Sequence, residues 1–218
     1  MKDTLQTWSV LGDSISTFRG YTPAGGVFYG PESGGYTGVC SVEDTWWAQV
    51  IRGMGGTLLR NHSWSGSTVS EGGPVPAVSP SRIRRLGRDG LSPDALLVFT
   101  GLNDWALYVE VSRFEGAYRQ MLRTIRQYHP NTILYCGTFP GGHFPANPGV
   151  PSMGAIRREV YNEAIRSAAR APGCRLADLA ALGGTYESMD GVHPTGQGMV
   201  QLAALWLAAA FEIKENPL

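Results

Sequence analysis

Short apolar runs that break off into glycine and small polar residues recur along this chain, and each is followed by a segment of helical character. Thr7-Trp8-Ser9-Val10-Leu11 stops at Gly12, and Thr57 to Arg60 runs into Asn61-His62-Ser63. Asp94 to Thr100 contains Ala-Leu-Leu-Val-Phe, a continuous apolar stretch of the kind covered on both faces of a sheet. Thr132 to Cys136 and Cys174 to Ala177 are two more such runs. Between them, helices are predicted from Ser41 to the Gly55-Gly56 pair, within Ser79 to Arg88, and from Ser112 to Tyr128. Two more are predicted from about Met153 to Arg170 and from Pro194 to about Glu212. Ser41 with Asp44, an imperfect pair, and Ser112 with Glu115 read as capping boxes for two of these helices. Strictly alternating strands and helices imply right-handed crossovers, a parallel sheet and helices on both of its faces.

A chain of 218 residues with 43% apolar residues suits one domain with a substantial core. The expectation is a single domain over 1–218, with loop insertions at about 20–40 and 137–151 where glycine and proline concentrate. Basic and acidic residues balance at 18 each, which argues against nucleic-acid or anionic-membrane partners held by bulk charge. Three well-separated cysteines, Cys40, Cys136 and Cys174, suit a reduced compartment. The start has no apolar stretch of signal-peptide length, and Leu202 to Phe211 is too short to span a bilayer. A cytoplasmic location is expected.

In an open parallel sheet, ligands bind beyond the carboxyl ends of the strands. The residues there are Gly12-Asp13-Ser14, then Asn61-His62-Ser63-Trp64-Ser65-Gly66, then Gly101-Leu102-Asn103-Asp104, and, past a longer loop, Asp190-Gly191-Val192-His193-Pro194. This set meets the needs of acyl transfer. A serine hydroxyl is a poor nucleophile until a base takes its proton, and His193 has the titration range of such a base. Asp190, three residues earlier, is placed to orient the ring. The amides of Ser14 and Gly66 and the side-chain amide of Asn103 are candidate donors to a developing oxyanion.

These four blocks, in this order, resemble the SGNH hydrolase, or GDSL esterase/lipase, family. Its four signature residues map onto Ser14, Gly66, Asn103 and His193. The resemblance spans residues 12 to 194. It implies a three-layer flavodoxin-like sandwich with a five-stranded parallel sheet in the order 2-1-3-4-5. It also implies a serine esterase without metal or cofactor, with Ser14 as nucleophile, His193 as base and Asp190 as its orienting acid.

Other residues read more plainly. Asp13 and Asp104 look structural, tying neighbouring strand-end loops. His62, His129 and His143 lack metal-ligand spacing and read as loop or surface residues, with His143 a candidate substrate contact. Arg82, Arg84, Arg85 and Arg88 form the one basic run, read as a solvated or ion-paired face. Trp46 and Trp47, adjacent on a helix, cannot share a face, so at least one belongs to the core. Trp64 and Trp105, beside motif residues, are candidates for the substrate pocket. The expected reaction is hydrolysis of a small-molecule carboxylic ester, with a small acyl group on a carbohydrate or similar alcohol. A lysophospholipase or thioesterase is the alternative within the same chemistry, and a non-catalytic phosphate-binding flavodoxin-like protein the alternative outside it.

Overall fold

A computed structural model of the chain describes residues 6–143 and 155–215. Strands β1 (Thr7–Gly12), β2 (Thr57–Asn61), β3 (Ala95–Phe99), β4 (Ile133–Gly137) and β6 (Cys174–Ala177) form one sheet. Its order is β2-β1-β3-β4-β6 and every pairing is parallel. This is the expected 2-1-3-4-5 order of sheet strands. A second, two-stranded sheet pairs β5 (Gly141–His143) with β7 (Thr185–Glu187).

All five residues of β3 are buried, as a central strand covered on both faces requires. The covering helices fall into two packed groups. Helix α2 (Trp46–Gly53) packs on α7 (Gly196–Glu215), while α5 (Val111–Tyr128) packs on α6 (Ala155–Ala168) and on the short α3 (Pro80–Arg84). Helix α5 buries Phe114, Tyr118, Met121, Leu122 and Ile125, the i, i+4, i+7 spacing of one apolar stripe. In the other group, Trp46 stacks on Trp206 at 5.1 Å, and both meet Phe99 of β3 edge to face. Trp46 and Trp47 are both core residues.

Several local expectations need correction. The Ser41–Asp44 box caps a single 3-10 turn, Val42–Asp44, and α2 starts only at Trp46, with Thr45 as its cap. Helix α5 starts at Val111 with Glu110 as its cap, whose carboxylate accepts from the Ser112 amide, so Ser112 with Glu115 is not the capping pair. The 20–40 segment is not wholly irregular: it holds 3-10 turns and a one-turn helix α1 (Gly34–Thr37). The remainder of the 137–151 insertion beyond His143, and the expected start of α6 at Met153, lie outside the described residues. His62 and His129 are buried; His129 bonds Ser92 and the Ile83 carbonyl.

The largest correction is Arg82, which is 1% exposed rather than solvated. Its guanidinium donates to the carbonyls of Gly12 (2.6 Å), His62 (3.1 and 3.0 Å) and Val75 (2.7 Å), and to Ser67 Oγ. Helical spacing put it on α3's inward face, where its planar fork meets the carbonyls of two strand-end loops. Burial lowers its pKa to about 10, against the opposing pull of Asp13, so it is charged at neutral pH. Arg82→Met should therefore strand these acceptors and cost about 3–5 kcal/mol, read from the denaturant midpoint. Loss below about 1 kcal/mol would contradict the bracing role.

Candidate active site

Ser14 follows β1 directly, in a 3-10 turn (Ser14–Ser16) capped by the Asp13 carboxylate, which accepts from the Ile15 amide. The β2 loop docks beside it, because the Trp64 amide donates to the Gly12 carbonyl at 3.2 Å. His193 comes from the loop between β7 and α7. There Asp190 Oδ1 accepts from the amides of Val192 and His193, an Asx-type turn that fixes the acid and the histidine relative to each other. The Tyr186 hydroxyl holds the Val192 carbonyl, and the Tyr29 hydroxyl holds the Pro194 carbonyl. These bonds hold the loop that carries the histidine at both sides of it.

The result is a continuous side-chain chain. Ser14 Oγ lies 2.9 Å from His193 Nε2, and His193 Nδ1 lies 2.6 Å from Asp190 Oδ2. Burial by itself would raise the Asp190 carboxyl. Hydrogen bonds from the His193 ring and amide outweigh it and hold the group at about 2. Asp190 is therefore ionised across the neutral range and accepts from the imidazole. Phe28, from the 20–40 segment, stacks flat on the His193 ring at 4.1 Å with 9° between planes. Nothing in the spacing of that segment marks Phe28; its role comes from how the loop closes.

Asn103 lies in α4 (Leu102–Ala106), just past β3, and its Nδ2 donates to the Ser67 carbonyl at 2.8 Å. That bond leaves its second N–H available and ties the β3 end to the β2 loop. Asp104 reinforces the tie: its buried carboxylate accepts from the amides of Val69 and Ser70 and from the Ser70 hydroxyl. Gly66 has φ +75°, a conformation that favours glycine, and its amide has no acceptor among the described residues; the same holds for the Ser14 amide. Thus Ser14, Gly66, Asn103, Asp190 and His193 are gathered at the carboxyl edge of the sheet.

The other candidates separate. Trp64 is half-buried, with the backbone of Gly25 and Gly26 pressed on its ring; a Cβ at Gly26 would come within 2.5 Å of it. Trp105 lines a cavity of about 350 Å³ with Tyr108, Val109 and Tyr161, and none of the five gathered residues lines it. His143 ends β5, and its expected substrate contact lies outside the described side chains. Among the described residues, no group of three His, Cys, Asp or Glu could hold a metal ion. Nor, among those residues, is any helix long and apolar enough to cross a membrane.

The chain is thus an α/β protein whose serine, histidine and aspartate meet at the carboxyl edge of its parallel sheet. The model of the GDSL-like Lipase/Acylhydrolase family matches residues 10–200, and the chain belongs to that family of ester-bond hydrolases. Among solved structures it is similar to two proteins described as GDSL-like lipases. That from Bacteroides ovatus has a TM-score of 0.73 and 22% identity, with 97% of this chain and 99% of that one covered. That from Bacteroides uniformis has a TM-score of 0.65 and 27% identity, with 95% and 96% covered. A family 3 carbohydrate esterase from Talaromyces cellulolyticus shares the fold, at a TM-score of 0.62, 18% identity and 97% and 99% coverage. No curated protein matches the chain.

Asp13 supplies a test of the site's electrostatics. It is fully buried with Oδ2 unpartnered, and burial raises it to about 6, against the lowering pull of the Ile15 amide and of the His193 and Arg82 charges. The folded chain thus holds this proton more tightly than the unfolded one. The associated stability is present below about pH 4 and is lost as pH rises through about 6. Asp13→Asn keeps the cap acceptor and removes the titration. Its stability should change less between pH 4 and 6.5 than that of the parent, by up to about 3 kcal/mol, in denaturant titrations across that range. Parallel pH profiles for the two proteins would contradict this.

Proposed function

We propose that the chain is a serine esterase that removes a small acyl group from a carbohydrate or similar alcohol. The observation that carries this reading is the unbroken line from Ser14 Oγ through the His193 ring to Asp190. In the proposed cycle, Ser14 Oγ attacks the ester carbonyl while His193 Nε2 takes its proton. Negative charge moves to the carbonyl oxygen, which accepts from the Ser14 and Gly66 amides and Asn103 Nδ2. The tetrahedral intermediate collapses, the C–O bond to the alcohol breaks, and His193 returns the proton to the departing oxygen. Water then attacks the acyl-enzyme with His193 again as base, releasing the acid and restoring Ser14. Asp190 keeps the imidazole in the tautomer with Nδ1 protonated and stabilises the imidazolium.

Two features favour a small acyl group. Ser14 is 7% exposed, and Phe28 covers one face of the His193 ring that Ser14 meets. Among the described residues, the 20–40 segment beside it is built of short turns that carry aromatic residues. The Talaromyces enzyme's description as a carbohydrate esterase supports the sugar side of the reading. A lysophospholipase or thioesterase would use the same cycle on a longer acyl chain.

Hydrolysis of p-nitrophenyl esters from acetate to octanoate tests the proposal. Acetate should be preferred; octanoate preference would overturn the small-acyl reading, and no turnover of any ester would overturn the esterase reading. Ser14→Ala and His193→Ala should each lower kcat by about 10⁶. Asn103→Ala should cost roughly 10²–10³ as a lost oxyanion donor. Asp190→Asn should cost about 10⁴ by the serine-protease pattern, and a loss under about tenfold would reduce the triad to a dyad.

A further inference from the structure

Beside the outer edge strand β2 lies a cavity of about 550 Å³ that the proposed reaction does not use. Arg60, Arg84, Arg85 and Arg88 line it, with His62 and with Tyr21 from the segment after the Ser14 turn. None of Ser14, Gly66, Asn103, Asp190 or His193 lines it. Asp89 is the one carboxylate in the lining, and it pairs with Arg88 at 3.3 Å with both side chains largely in solvent, where such a pair neutralises little. Arg60 and Arg85 have no carboxylate partner among the described residues, and Arg84 rests over the Tyr128 ring. Three guanidinium charges are therefore left uncompensated around one concave space, in a chain whose total charge is zero.

A second observation comes from the lining itself. His62 is 6% exposed, and its Nδ1 is buried without a hydrogen-bond partner. Burial and then the charges of Arg82, Arg85 and Arg60 lower it to about 4. The imidazole thus stays neutral and adds no charge, while its titration registers the arginine field. Guanidinium forks match the oxygens of a phosphate in pairs, and several around one cavity favour a dianion over a monoanion. Tyr21, 46% exposed on the rim, offers an aromatic face for the organic part of such a ligand. The volume exceeds what a bare phosphate fills and lies in the range of small-molecule sites.

The geometry points to a second ligand site, built from Arg60, Arg84, Arg85, Arg88 and Tyr21, that binds a small molecule carrying a dianionic phosphate. It does not depend on the esterase reading, since it binds without turnover. Calorimetric titration of the whole chain at low ionic strength, with inorganic phosphate in one arm and phenyl phosphate in the other, tests it. Saturable one-to-one binding in both arms is expected, tighter for phenyl phosphate because of Tyr21. Equal affinity in the two arms would overturn the organic part and leave a phosphate site. The paired substitution Arg60→Gln and Arg85→Gln should weaken binding at least about tenfold, as lost charge-assisted hydrogen bonds require. Arg123→Gln, which lines a separate cavity between α5 and α6, should leave binding unchanged, and so should Ser14→Ala. If circular dichroism shows the paired variant unfolded, Arg84→Gln and Arg88→Gln, made singly, should each weaken binding. No saturable binding, binding that survives the arginine substitutions, or equal loss in Arg123→Gln would overturn the site.

Discussion

One buried guanidinium organises the edge on which the site is built. Parallel strands deliver their ends to the same side of a sheet, but the loops that follow have no ladder to hold them. Arg82 adds to the Trp64–Gly12 backbone bond, linking the Gly12 carbonyl before Ser14 to the His62, Ser67 and Val75 positions of the β2 loop. Asn103 and Asp104 extend the same lattice to the end of β3. Three strand ends are thus fixed by side chains acting as surrogate backbone partners. The amides of Ser14 and Gly66 inherit their positions from that lattice, and so does the Ser14 hydroxyl.

Electrostatics around the lattice divide two aspartates that sequence places in similar loops. Asp190 is half in water and held at about 2 by the histidine and amides it accepts from. Asp13 is sealed in and raised to about 6, with Arg82 and His193 partly offsetting its burial. The first arrangement keeps a carboxylate ready to support a cationic imidazole. The second places a group that ionises reluctantly beneath the Ser14 turn, at a cost in stability at neutral pH that its cap on Ile15 offsets only in part.

Much of this was legible in the sequence because it is local. Apolar runs ending in glycine marked the strands, and Asp190 sits three residues from His193 on one turn. The order of the blocks placed Ser14, Gly66, Asn103 and His193 on one sheet edge. What escaped was set by tertiary packing. Arg82 shares a basic run with three exposed arginines, and only the docking of α3 turns it inward. The Ser41–Asp44 and Ser112–Glu115 pairs have the right spacing, yet Thr45 and Glu110 cap the helices, since a motif of four residues does not fix which turn continues. Strands β5 and β7 are three residues each, too short for alternation to show. Phe28 meets His193 across more than 160 residues of chain. Charge misled in another way: a zero sum records nothing of four arginines gathered around one cavity.

The central claim is that Ser14 is activated by the folded arrangement and not merely present in it. Incubating the folded protein with a fluorophosphonate, followed by peptide mass mapping, tests this most directly. The account predicts one adduct, on the peptide containing Ser14, that is absent when the protein is denatured before exposure. Failure of the folded protein to label, or labelling at a different serine, would contradict it.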